Sequence, residues 1–265
     1  MQYIRVNIPF RNADKTIKLV ERILKQNESL APNSPIVNDL DFLAMADTLE
    51  RIATLKNEIY QSDKQSKALY GKCFHLLGTA PGQNLQCHGT LKVLITKVRG
   101  FLFHTYTISP MQLKVWGFNV KVGQTKGRRT VKISITGYST ADLLELAAAI
   151  IARHIKEGIA SPLIGKVDMA EFALKTTEAN TIFNLAEKKS KEREAKNNEM
   201  QKLIGYAKGQ TALIAGTCYN FITLVRNQLL NIYDQNPDEL GNWGFDVVIS
   251  QGTPGRKKKI QSIEY

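Results

Sequence analysis

Trp116-Gly117-Phe118-Asn119-Val120 recurs 127 positions later as Trp243-Gly244-Phe245-Asp246-Val247. The same offset carries Ser34-Pro35 onto Ser161-Pro162, Gly89-Thr90 onto Gly216-Thr217 and Val98-Arg99 onto Val225-Arg226. It also carries Leu76-Leu77-Gly78-Thr79-Ala80-Pro81-Gly82-Gln83 onto Leu203-Ile204-Gly205-Tyr206-Ala207-Lys208-Gly209-Gln210. No gap is needed between residues 34 and 133. Roughly 30% of that span is identical, against ~5–7% for unrelated sequence of ordinary composition. This is a tandem duplication, and it restricts the fold to one that a single unit can build twice. The register continues upstream, where Tyr3–Ile8 sits over Thr130–Ile135. The expected domains are therefore 1–127, a helical-bundle repeat with a strand at each end, and 128–265, a second repeat with an added C-terminal hairpin strand.

Each unit opens on alternating apolar residues, the period of a half-buried strand: Ile4, Val6 and Ile8, then Val131, Ile133 and Ile135. A first helix is predicted at about 14–27 and 140–157, with Asn12 and Ser139 or Thr140 as N-caps. Ser-Pro at 34–35 and 161–162 predicts the start of a long helix, since serine caps and proline suits the first turn. In the second copy this helix crosses the polar run Ala186–Asn198, which is either a solvated stretch or a turn between two helices. A further helix is predicted at about 83–106 and 210–233, ended by Pro110 and Pro237. Phe118–Val122, the loop 123–128 and Thr130–Ile135 read as a β-hairpin. Its expected counterpart joins Phe245–Ile249 to Lys257–Ile263. The N-terminal strand is a candidate to join one of these ribbons. The fold class is mainly α with minor β: two tandem, pseudo-symmetric helical bundles, each with a short β-ribbon.

The 265 residues suit one large domain or two ordinary ones. Apolar residues at 43% and charged residues at 23% fit a globular protein. No apolar run reaches the ~18 residues of a membrane span, and Met1 is not followed by the apolar core of a secretory signal. The three cysteines, Cys73, Cys87 and Cys218, are too few and too scattered for a disulfide framework, which points to a reducing, cytoplasmic setting.

Signs of catalysis are weak. Cys73, His75, Cys87 and His88 fit no common zinc spacing, and the second copy has Met200, Lys202, Ile214 and Ala215 in their places. No metal or cofactor is expected. Gly78–Gln83 lacks the Gly-Lys-Ser/Thr ending of a phosphate loop and reads as a structural turn. None of the four histidines recurs; Asn27 stands where the second copy has His154. The one duplicated acid of the helical part, Asp41/Asp168, lies near a helix start, where a carboxylate offsets the dipole. A non-enzymatic role is expected.

Trp116, Gly117, Phe118 and Trp243, Gly244, Phe245 could form an aromatic platform for a ligand, but fit better as anchors at a sharp bend. Thirty-six Lys+Arg against 24 Asp+Glu leave a charge of +12. Much of it clusters on the ribbons: Lys121, Lys126, Arg128, Arg129 and Lys132, then Arg256, Lys257, Lys258 and Lys259. Such a ribbon could neutralise phosphates or an acidic protein surface, or protect a strand edge from unwanted pairing.

The order of strand, helix, long helical pair and Trp-Gly-Phe turn into a strand resembles helical repeats found in uncharacterised bacterial proteins. The resemblance implies a bacterial helical-bundle module and no particular activity. Taken together, a structural or adaptor protein is expected, docking acidic partners through the basic hairpins, with a protein partner or self-assembly implied. The alternative is a sequence-tolerant nucleic-acid-binding protein.

Overall fold

Two polar residues set the starts of the first helices in the way their types predict. The computed structural model describes residues 2–9, 11–36, 40–83, 89–125, 128–135, 139–210 and 214–251. Strand β1 (Gln2–Asn7) leads to helix α1 (Ala13–Leu30), where the Asn12 side chain accepts the Lys15 amide at 3.0 Å. Helix α4 (Thr140–Glu157) starts with a full capping box: Ser139 accepts the Asp142 amide and Asp142 accepts the Ser139 amide. Ile17, Val20 and Ile23 of α1 and Leu143, Ala147 and Ile150 of α4 bury stripes at three-four spacing.

The long helices are α2 (Phe42–Leu77) and α5 (Met169–Ile204). They do not start at Ser-Pro. Asp41 accepts the Ala44 amide at 2.8 Å, and Asp168 accepts the amides of Ala170 and Glu171 at 3.0 and 2.9 Å, so the duplicated aspartates are the caps. The Ser-Pro serines are buried instead and tie the preceding loop to the first helix. Ser34 donates to Asn27 Oδ1, and Ser161 shares a hydrogen bond with His154 Nδ1, both at 2.6 Å. α5 is continuous through Ala186–Asn198, so this run is solvated helix and not a turn.

Helices α3 (Leu91–Thr105) and α6 (Cys218–Ile232) follow, later in the chain than the apolar pattern alone suggests; residues 84–88 and 211–213 lie outside the described ones. Each is followed by a short 3-10 helix, Pro110–Trp116 or Pro237–Trp243, and a strand, β2 (Val120–Thr125) or β4 (Asp246–Gln251). β3 (Arg128–Ile133) completes the order. The bounds of α1 and α4, α2 and α5, α3 and α6, and the two 3-10 helices each differ by 127. The molecule is mainly helical, with two small antiparallel sheets, β2–β3 and β1–β4.

The β2–β3 hairpin is the one the alternation predicts. In the other sheet the N-terminal strand joins a ribbon strand, as its alternation allows. β4 pairs with β1, from Asn7 opposite Asp246 to Gln2 opposite Gln251. The expected partner strand, Lys257–Ile263, lies outside the described residues.

The chain divides into two compact units: 61–193, and 1–60 with 194–265. Neither coincides with the sequence copies 1–127 and 128–265. In unit 61–193 the end of the first copy meets the start of the second: α3, the 3-10 helix Pro110–Trp116 and β2 pack with β3 and α4. Its core holds Ile95, Val98, Leu102, Trp116, Phe118, Ala147, Ile150 and Phe172. In the other unit the start of the first copy meets the end of the second: β1 and α1 pack with α6, the 3-10 helix Pro237–Trp243 and β4. There the core holds Val20, Ile23, Ile52, Leu55, Ile222, Val225, Trp243 and Phe245. Each long helix contributes one part to each unit.

Candidate functional site

The register of the β2–β3 ribbon decides what its charges can do. Side chains alternate between faces along a strand. Val120, opposite Ile133, is buried, and Val122 lies opposite Val131; Val131 and Ile133 pack against the core of unit 61–193. The other face therefore points outward and carries Lys121 directly opposite Lys132. Both lysines are exposed, and neither forms an ion pair among the described residues. Like charges in directly opposed positions cost rather than stabilise. Arg99 of α3 donates from Nη1 to the Ile133 carbonyl at 3.2 Å, which brings a third cation to the ribbon.

Of the remaining expected cations, Arg128 and Arg129 occupy register positions opposite Thr125 and Gln124. Lys126, Arg256, Lys257, Lys258 and Lys259 lie outside the described residues. On β1–β4 the pair equivalent to Lys132 and Lys121 is Arg5 opposite Val248, so the like-charge pair belongs to the hairpin alone.

Charge divides unevenly between the units. Residues 61–193 hold 20 Lys+Arg against nine Asp+Glu, whereas 1–60 with 194–265 hold 16 against 15. Nearly all of the excess positive charge thus belongs to the unit that carries the β2–β3 ribbon.

The Trp-Gly-Phe segments sit inside. Trp116 and Trp243 are each 1% exposed, and Phe118 and Phe245 are buried beside them. A stacking platform needs an accessible ring face, which these do not offer. Gly117 and Gly244 end the 3-10 helices with φ at +88°, the left-handed turn that swings the chain into the strand.

The other sequence candidates have structural partners. Gln83 accepts the Ala80 amide and donates to the His75 carbonyl at 3.2 and 3.3 Å; Gln210 does the same with Ala207 and Lys202 at 3.2 and 3.1 Å. The glycine-rich loops are thus folded on their own glutamines, with amides already engaged. Cys73 and Cys218 are buried and free, and burial pushes both thiols up, Cys218 to about 12, away from the nucleophilic thiolate. No group of three His, Cys, Asp or Glu able to hold a metal occurs among the described residues.

Several tertiary contacts carry no sequence signal. The Tyr70 hydroxyl bonds Glu187, and burial followed by that carboxylate pushes it up to about 12. Tyr206 donates to the Pro9 carbonyl at 2.7 Å and shares a 2.6 Å hydrogen bond with Thr16. Both tyrosines are held as neutral ties between elements of their own unit. The periodicity of α2 and α5 does not reveal them, because the partners are more than a hundred residues away. Among the described residues no helix is long and apolar enough to cross a membrane. No protein-family model matches the chain, and neither a curated protein nor a solved structure matches it.

Proposed function

We propose that this chain is a non-enzymatic adaptor built from a duplicated helical module, which docks an acidic protein partner through the β2–β3 ribbon of unit 61–193. The observation that carries the reading is Lys121 directly opposite Lys132 on the outward face, with neither ion-paired among the described residues. An unfavourable pair kept on a solvent face is relieved when an anionic surface arrives. Duplication supports the adaptor: element bounds repeat at 127, while histidines and cysteines do not recur as pairs. The unpaired cysteines suit a cytoplasmic setting.

Nucleic acid is the second reading, favoured by the 20 to nine excess of cations in the same unit. Against it, the aromatic rings at the foot of the ribbon are buried and cannot stack on bases. One titration separates the two. Labelled polyglutamate, a probe for an acidic protein surface, and labelled duplex DNA and RNA are titrated by fluorescence anisotropy at about 50 and about 200 mM salt. The adaptor reading expects polyglutamate binding that Lys121→Gln with Lys132→Gln abolishes. Nucleic-acid binding that falls ~10³-fold or more between the two salts replaces it with the second reading. Absence of any binding at the lower salt overturns both.

A further inference from the structure

Unit 1–60 with 194–265 is close to neutral overall, yet it contains a cavity of about 340 Å³ lined by three cations. Helix α1 supplies Lys15, Lys18 and Arg22, which three-and-four spacing places along one side of the helix. The opposite wall is the end of β1 at Asn7, the turn at Gly244 and the start of β4 at Asp246. None of the three cations forms an ion pair among the described residues. Asp14, one helical turn before Lys18, is ion-paired with Lys56 at 2.8 Å and acts on Lys18 only as the weaker, longer-range charge. Asp246 is the carboxylate of the lining, and Asn7 donates to its Oδ2 at 3.0 Å. Three cations against one hydrogen-bonded carboxylate leave the cavity positive at neutral pH.

The turn is shaped to this arrangement. A Cβ on Gly244 would stand 2.9 Å from Cδ of Arg22 and 3.1 Å from its Cβ. The bare glycine thus lets the arginine stem lie against the turn, which fixes where the guanidinium emerges.

The second copy provides an internal control. The positions 127 residues after Lys15, Lys18 and Arg22 hold Asp142, Glu145 and Ala149, and Asp142 is committed to its capping box. The fold therefore does not require cations here. Nor are they part of a general basic surface, because the charge excess belongs to unit 61–193.

We infer that this cavity is a binding site for a small phosphate-bearing molecule. Lys15, Lys18 and Arg22 would take the phosphate, two as point charges and one as a planar fork. Asp246 and Asn7 would meet a hydroxyl or amine on the remainder of the ligand. A volume at the lower end of small-molecule pockets, ~300–1,000 Å³, suits a compact ligand. The inference does not rest on the β2–β3 ribbon.

The test is isothermal titration of the full chain with glycerol 3-phosphate, with succinate as a carboxylate of comparable charge. Saturable binding of glycerol 3-phosphate is expected, weakened at least about tenfold by Lys18→Gln with Arg22→Gln. Both positions are exposed, and the variant's far-UV circular dichroism should match the parent's. Lys121→Gln with Lys132→Gln should bind as tightly as the parent, which keeps this site distinct from the ribbon. Absence of saturable binding overturns the inference, as does full affinity in the Lys18/Arg22 variant. Tighter binding of succinate overturns the assignment to phosphate.

Discussion

At Gly117 and Gly244 the backbone holds φ at +88°, a conformation that costs any residue with a Cβ about 1–2 kcal/mol. The surroundings are alike at the two positions. A Cβ at Gly117 would meet Ala149 Cβ at 3.0 Å and Leu146 Cδ1 at 3.2 Å on α4. A Cβ at Gly244 would meet Arg22 Cβ at 3.1 Å and Leu19 Cδ1 at 3.3 Å on α1, besides Cδ of Arg22 at 2.9 Å. Gly117→Ala and Gly244→Ala should therefore each cost about 2–3 kcal/mol, read from urea unfolding midpoints. A loss at one position only would mean that packing against the first helix of each copy does not decide the cost. His154 makes the opposite case. Its partner Ser161 corresponds to Ser34, which bonds Asn27. His154→Asn should change stability by less than about 1 kcal/mol, because the other copy already satisfies its serine with asparagine. Much of this was legible: the paired glycines, and the exchange of Asn27 for His154, stand in the aligned copies. The buried serine partner was not, since a side chain seven residues away is reached only after the loop folds back.

Helices in this chain start where a side-chain oxygen can accept their first amides. Asp168 accepts two of them for α5, so Asp168→Ala should cost about 1–2 kcal/mol, and Asp168→Asn less. Thermal and urea unfolding of the two variants give the comparison. Titration acts at the same scale. Asp63 is held below the usual carboxylate range by Lys67 and Arg193, Asp14 by Lys56, and Asp142 by Ser139. Lowered carboxylates stabilise above their unfolded pKa of ~4, and that stability is lost as pH falls through the folded values. Tyr70 and Cys218 are pushed the other way, to about 12. Their contribution is complete below the unfolded values of ~9–10 and is lost as pH rises towards the folded ones. The urea midpoint should therefore be flat between about pH 5 and 8 and fall on both sides. A midpoint still rising at pH 10 would contradict this assignment.

For the molecule as a whole, the sequence copies and the compact units make opposite predictions about fragments. Residues 61–193 contain both strands of the β2–β3 sheet and the core of Trp116, Phe118, Leu102 and Ile150. Residues 1–127 hold β1 without β4 and β2 without β3, and α1 without the α6 it packs against. A fragment of residues 61–193 should unfold cooperatively in urea, whereas residues 1–127 should show no cooperative transition as a monomer. A cooperative monomeric 1–127 would place the folding unit back on the sequence copy. Charge belongs to this scale too, because the excess of 20 over nine appears only once the chain is divided by its contacts.

The repeat of 127 is read by laying the chain on itself, whereas the apolar periods of α1, α3, α4 and α6 and the alternation and charge of β2 and β3 are properties of local sequence. Local physics is enough to determine them: helices close their hydrogen bonds within four residues, and a hairpin closes its own within one turn. Three things were decided only by tertiary structure. β4 pairs with β1, because a strand's alternation says which face is apolar but not which partner satisfies its edge. The Ser-Pro serines turned inward and left the capping to Asp41 and Asp168, because serine can bond Asn27 or His154 once it is buried. Lys15, Lys18 and Arg22 came to line one cavity with Asp246, more than 200 residues later in the chain, a distance that composition cannot register. Identity along the chain gave the repeat, and burial chose to close each core with halves of both copies, since each first helix needs an apolar face that the last helix of the other copy supplies.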